Sequence, residues 1–195
     1  IHGTKKIIYQ EEELDFTPPW KRISVLDALK EFGKIDASEM TVDDLKIEMK
    51  NREIEFYEPI SWGVAVVELF ESVCEEQLIQ PTFIIDHPVD ICPLTKVKRG
   101  DERLAERFEP YIYKMEVGNA YSECTDPVVQ IEQLQDQGDE DDYENHPIDA
   151  DFVKSIGCGM PPTGGVGLGV DRIIMLLTDS KSIRDITPFP MIKPK

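Results

Sequence analysis

The 195-residue chain has no apolar run approaching the roughly 18 residues that a membrane-spanning helix needs. Its start, "IHGTKKIIYQEEELDF", lacks the basic, then apolar, then small order of a secretory signal, so a cytosolic protein is the expectation. Paired cysteines are missing too. Cys74, Cys92, Cys124 and Cys158 form no CxxC or other short-spaced pair, which argues against a zinc site or a disulfide framework and for reduced packing residues. Positive charge is scarce: 21 Lys and Arg stand against 39 Asp and Glu, a formal charge of −18. Affinity for a phosphate backbone comes largely from Lys and Arg releasing counterions, so the charge argues against a general nucleic-acid grip and any RNA contact must be local or supplied by another segment. Part of the acidity lies in "DQGDEDDYENHPID" (136–149), read as a solvated loop.

What is present suffices for one domain with a real core: 41% hydrophobic residues, with two tryptophans. No repeat and no long low-complexity linker divides it. Residues 5–16 read as a short strand pair ending at "TPPW". The helical spacing of apolar residues predicts a helix from Ile23 to about Phe32 with Ser24 near its start as a cap, and a second opened by Thr41, with Asp43 and Asp44 in the first turn where carboxylates suit the helix dipole. "SWGVAVVELFESVCEEQL" (61–78) predicts a third. Together these make residues 21–78 a helical insertion or flank. The period then changes: "PTFIIDHP", "ERFEPYIYKMEVGNAYSEC" and "GGVGLGV" are strand-like, separated by connections with short helices at about 126–136 and 149–157. Strands without regular βαβ spacing predict an α+β fold, an antiparallel sheet flanked by helices.

The stretch "PPTGGVGLGVDRIIMLLTDSKSIRD" (161–185) carries the strongest signal. On a strand, Gly165, Gly167 and Gly169 share one face, and Val166 and Leu168 are expected to point into the core. A face without Cβ atoms lets a flat ligand come close, and glycine weakens a strand, so three in register call for a reason. Arg172 follows in the first turn of a helix, able to meet a phosphate bidentately. Two familiar phosphate loops are excluded: no Lys follows these glycines as a P-loop requires, and the third glycine of GxGxxG is replaced by Val170.

"GGVGLGVDR" resembles motif 3 of class II aminoacyl-tRNA synthetases. "TPPWKRISVLDALKEFG", "LIQPTFIIDHPVDICPLTK", "AERFEPYIY", "EVGNAYSE", "MPPTGGVGLGVDRIIMLLT" and "SIRDITPFPMIKP" together resemble, in order, the C-terminal part of the catalytic domain of class II lysyl-tRNA synthetases, over nearly the whole chain. The resemblance implies that Arg172 holds the γ-phosphate of ATP, that Gly165, Gly167 and Gly169 floor the adenosine site, that Glu109 and Glu116 hold Mg²⁺, and that Asn119, Tyr121 and Glu123 form the lysine pocket. It implies a cytoplasmic enzyme, a homodimer when whole, that activates lysine to lysyl-adenylate and transfers it to tRNA(Lys). Motifs 1 and 2 and the anticodon-binding barrel of that family are not seen, and "CT" at 124–125 replaces an expected "LND". The chain matches roughly the last 40% of such an enzyme, a partial catalytic domain expected to be inactive alone.

The residues themselves suit these roles. Asn119, Tyr121 and Glu123 share a strand face by period two, giving an amide, an aromatic wall and a carboxylate in a row for a long cationic side chain. Glu116 lies an odd number of residues from Asn119 and would face away on a regular strand, so a bulge at Gly118 is expected to re-aim it. Mg²⁺ commonly takes one or two carboxylates plus substrate phosphates. His87 is read as structural, because a carboxylate that attacks ATP needs no protein base. Arg103 and Arg107 could reach substrate or pair with acids, and Arg184 is read as an ion-pair residue. Two other readings stay open at this point: a paralogue that uses lysyl-adenylate to modify a translation factor, and a non-catalytic lysine- or nucleotide-binding module.

Overall fold

The computed structural model describes residues 1–136 and 149–189. The expected acidic loop, 136–149, lies almost wholly outside them. The chain opens with a hairpin in which β1 (Lys6–Tyr9) and β2 (Glu12–Asp15) pair antiparallel. Gln10 and Glu11 between them both take positive φ, 48° and 73°, as a two-residue turn matched to strand twist requires.

The main sheet contains β3 (Lys21–Ser24), β4 (Thr82–Ile85), β5 (Arg107–Ile112), β6 (Met115–Glu116), β7 (Gly118–Ser122) and β8 (Gly164–Leu168). Its order is β3-β4-β5-β7-β8, with β6 pairing β5. The pairs are antiparallel except β3 with β4, which is parallel. With the helices below, this is an α+β core.

Caps set the helix boundaries. The Ser24 side chain accepts the Asp27 N–H and starts α1 (Val25–Ala28), which continues as a π-turn over Leu29–Gly33. Ile23, expected in the helix, therefore belongs to β3 and pairs with Ile84, and the segment 21–78 opens with a sheet strand. Thr41 and Asp44 form a reciprocal capping box on α2 (Val42–Asn51), which buries Leu45 and Met49, one turn apart. Ser61 caps α3 (Trp62–Val73), whose buried stripe is Ala65, Val66, Leu69 and Phe70. A tight 3₁₀ turn, Glu75–Gln77, then replaces the expected last helical turn. Farther on lie α4 (Pro127–Asp136), α5 (Ala150–Gly157), α6 (Val170–Thr178) and α7 (Ile183–Ile186). None of the described helices is long and apolar enough to cross a membrane.

Alternation along β5 divides the core. Tyr111 joins Ile23, Ile84 and the buried faces of α1–α3 on one side of the sheet. Its neighbour Ile112 joins Val117, Leu176 of α6 and the hairpin residues Ile7, Tyr9 and Leu14 on the other. Each such buried aliphatic side chain contributes about 1.5–3 kcal/mol. The hairpin is tied to the end of α6 by three hydrogen bonds from Gln10 to Asp179 and by Tyr9 Oη donating to the Ser180 carbonyl.

One expectation fails here. Val166 and Leu168 do not enter the core: they are 71% and 62% exposed. Alternation sends them away from the glycine face as expected, but β8 ends the sheet and no described element covers that side of it.

Candidate functional site

The sheet positions the site through an irregularity. Tyr111 of β5 faces Glu116, whereas Phe108 faces Ala120, so the β6–β7 side carries one residue more than β5 between these pairs. This bulge spans Val117–Asn119, where Val117 N–H donates to the Pro110 carbonyl at 2.8 Å. Gly118 is required within it, since a Cβ there would lie 2.7 Å from the Gly167 carbonyl oxygen. As a result Glu116 and Asn119 line the same cavity despite their odd spacing.

That cavity measures about 610 Å³ and is lined by Glu116, Asn119, Tyr121, Glu123, the three alternate glycines and Arg172, together with Asp171 and Ile183. Asn119 pairs with Gly167 and Tyr121 with Gly165, so the polar row of β7 lies beside the bare row of β8 on one face. Arg107, directly across β5 from Tyr121, shares that face with Glu109 and Tyr111. The helical layer covers the face over β3–β5 and stops short of β7 and β8, which leaves the glycine strip open.

The glycines differ in what they permit. A Cβ on Gly165 would collide with Glu123 Oε1, so this glycine lets the carboxylate lie across the strand. At Gly167 and Gly169 an added Cβ would make only ordinary contacts, 3.8 Å to the Asn119 carbonyl oxygen and 3.5 Å to that of Val117. Packing inside the chain does not demand glycine at these two positions; a ligand lying on the strand would.

Charge is distributed unevenly along the cavity. Glu123 stands at one end beside Gly165. At the other, Arg172 of α6 donates to the Glu116 carbonyl oxygen and approaches the Glu116 carboxylate at 3.5 Å. Burial pushes the Glu116 carboxyl above the usual range, Glu109 adds to this, and Arg172 opposes it. Burial likewise raises the Tyr121 phenol, with Glu123 contributing.

Glu109 lies deeper, 6% exposed, behind the cavity wall. Arg107 pairs with one of its oxygens, while Tyr111 Oη lies 3.3 Å and His87 Nε2 3.7 Å from the other. His87 is buried, its Nε2 has no hydrogen-bond partner, and burial followed by the Arg107 charge lowers its pKa to about 3, so it is neutral. The donor set, two carboxylates on adjacent strands, fits a hard cation that takes oxygen ligands. Among the described residues no three His, Cys, Asp or Glu side chains form a metal-holding group, so phosphate oxygens and water would complete the coordination of a cation held by Glu109 and Glu116.

The remaining candidates separate clearly. Arg107 pairs with Glu109 and donates to Cys92 Sγ at 3.3 Å. Arg103 is engaged elsewhere, with Asp101, the Ser38 carbonyl and the Trp62 ring. Arg184, expected in an ion pair, is exposed and forms none among the described residues, although its neighbour Ile183 lines the cavity. All four cysteines are free. Tyr111 and Glu75, whose side chains meet at 3.0 Å beside Glu109, were missed by sequence reasoning. Tyr111 was within reach, sharing the strand face of Glu109 two residues on. Glu75 comes from the turn after α3 and carries no local signal.

The sequence model of the family described as tRNA synthetases class II (D, K and N) matches residues 1–193. The chain is 48% identical over 202 residues to the lysine–tRNA ligase of Clostridium perfringens, covering all of this chain and 40% of that protein. It is 49% identical over 202 residues to that of Clostridium kluyveri and 46% identical over 200 residues to that of Thermoanaerobacter pseudethanolicus, with the same coverage. The chain thus spans about two-fifths of the length of the curated relatives it matches.

Proposed function

The chain belongs to the class II tRNA synthetases of the aspartate, lysine and asparagine group, and from that premise we propose that it carries the lysine- and phosphate-binding part of a lysine–tRNA ligase. The single observation that carries this reading is the polarity of one cavity: an anion, Glu123, at one end and a cation, Arg172, at the other, joined by a strip of strand without side chains. Gly165 to Gly169 spans about 13 Å at the usual rise of a strand. Lysine bound beside ATP supplies the two complementary charges, an ammonium for Glu123 and phosphates for Arg172.

In this reading Glu123 pairs the lysine ammonium, Tyr121 covers its methylenes and Asn119 donates or accepts beside them. Gly167 and Gly169 let the adenosine lie on the strand, and Arg172 binds the γ-phosphate of ATP. The lysine carboxylate is itself the nucleophile toward the α-phosphorus, displacing pyrophosphate and leaving lysyl-adenylate. No protein base takes part, which leaves the neutral, buried His87 a structural role. The residues contribute position and charge. Glu109 and Glu116 would hold Mg²⁺, which supplies charge neutralisation on the phosphates when bound.

Transfer of the lysyl group to tRNA(Lys), a cytoplasmic location and a homodimeric assembly belong to the same proposal for the whole enzyme. Its tRNA contacts are assigned mainly to the part of the relatives' length that this chain does not span. The formal charge of −18 is in keeping with that division.

The test is calorimetric titration with lysine, aspartate and asparagine in the presence of Mg²⁺ and a non-hydrolysable ATP analogue. Lysine is expected to bind at least tenfold more tightly than the other two. Preference for aspartate or asparagine would overturn the substrate assignment.

A further inference from the structure

Tyr111 Oη lies within hydrogen-bond distance of two carboxylates, Glu75 Oε1 at 3.0 Å and Glu109 Oε2 at 3.3 Å. A phenol has one proton to donate. The hydroxyl therefore satisfies one acid at a time, and the shorter contact is to Glu75. The choice matters for Glu109. Its Oε1 is already taken by Arg107, and beyond its Oε2 stands the buried, unpartnered Nε2 of His87. Oε2 is therefore the one oxygen of Glu109 whose lone pairs depend on where the Tyr111 proton points.

We propose that Glu75 is a positioning residue which acts through Tyr111: by drawing the phenolic proton to itself, it leaves Glu109 Oε2 free to accept a divalent cation. This rests on the reading of Glu109 and Glu116 as the cation carboxylates. Glu75 need not touch the cation. It belongs to the turn after α3, in the helical layer, whereas Glu109 belongs to the sheet, so the hydrogen bond makes the docking of the helical layer part of the cation site. Without Glu75, Tyr111 donates to Glu109 alone and competes with the cation for the same oxygen.

The competition gives the proposal a signature that a packing role lacks. Mn²⁺ binding, read by electron paramagnetic resonance of the free ion in the presence of a non-hydrolysable ATP analogue, is compared in the unaltered chain, Glu109→Gln, Glu75→Ala, Tyr111→Phe and the Glu75→Ala/Tyr111→Phe double variant. Circular dichroism checks each fold, and Glu75→Leu, which keeps the bulk and removes the acceptor, stands in should Glu75→Ala fail to fold. Glu75→Ala is expected to weaken Mn²⁺ binding by about ten- to a hundredfold, the worth of one hydrogen bond to a charged group. Removal of the competing donor in the double variant is expected to restore most of it. Binding lost in Glu109→Gln but unchanged in Glu75→Ala, or weakened there with no rescue by Tyr111→Phe, overturns the role of Glu75 and leaves the cation reading standing. Binding indifferent to Glu109→Gln overturns both.

Discussion

The carboxylate of Glu123 lies across Gly165, on the spot a side chain at position 165 would fill. The pair join the end of β7 to the start of β8, and they explain one glycine of the three by contacts within the chain. Gly167 and Gly169 have no such explanation, and the contrast can be tested.

Gly165→Ala is expected to displace Glu123 and to weaken binding of lysine at least tenfold. Gly167→Ala is expected to cost the fold less than about 1 kcal/mol, because its Cβ meets only ordinary contacts, yet to abolish binding of an adenylate analogue. Thermal unfolding beside calorimetry separates the two effects. Undiminished adenylate binding in Gly167→Ala would mean that nothing lies on the strand there.

Arg172 is half exposed and its only anionic partner is Glu116 at 3.5 Å among the described residues, so its loss should leave the fold nearly unchanged. Arg172→Ala is expected to weaken ATP by roughly 10- to 100-fold, the range for a hydrogen bond between charged groups, while lysine affinity stays within a factor of two. Parallel titrations of the two ligands check this.

Cysteine reactivity follows burial. Cys74, Cys92 and Cys124 are buried, and burial raises each thiol above its ordinary range, Cys74 to about 12. Because the thiolate is the reactive form, these three are expected to resist a thiol reagent at pH 8, where Cys158, exposed, reacts. One fast-reacting thiol in the native chain and four after denaturation is the expected count.

Leu168 and Val166 lie exposed on β8, a strand that ends the described sheet. An apolar edge strand invites pairing with another chain. Self-association rising with concentration is expected in light scattering and should fall in Leu168→Lys. A clean monomer at high concentration would contradict it.

The sequence was legible wherever a local rule acts alone. Period two placed Asn119, Tyr121 and Glu123 on one face, and the odd spacing of Glu116 was enough to demand the bulge that the register shows around Gly118. Caps were legible as well: Ser24 and Thr41 begin helices by accepting backbone N–H groups. Reading failed where a third element decides. Alternation correctly sent Val166 away from the glycine face, but whether anything covers that side is a property of neighbouring elements. Ile23 fits a helical pattern and a strand equally well, and its pairing with Ile84, far along the chain, settles it. Glu75 meets Tyr111, and through it Glu109, only because α3 and its closing turn dock beside β5, which no spacing in the sequence reveals.

The central claim, that one cavity reads lysine at one end and phosphate at the other, is tested most directly by calorimetric binding, with Mg²⁺, of non-hydrolysable lysyl-, aspartyl- and asparaginyl-adenylate analogues to the unaltered chain and Glu123→Gln, and of a non-hydrolysable ATP analogue to the unaltered chain and Arg172→Ala. The account predicts selective binding of the lysyl analogue, lost in Glu123→Gln, and binding of the ATP analogue weakened in Arg172→Ala. Equal binding of all three analogues, or lysyl binding that survives Glu123→Gln, would contradict it.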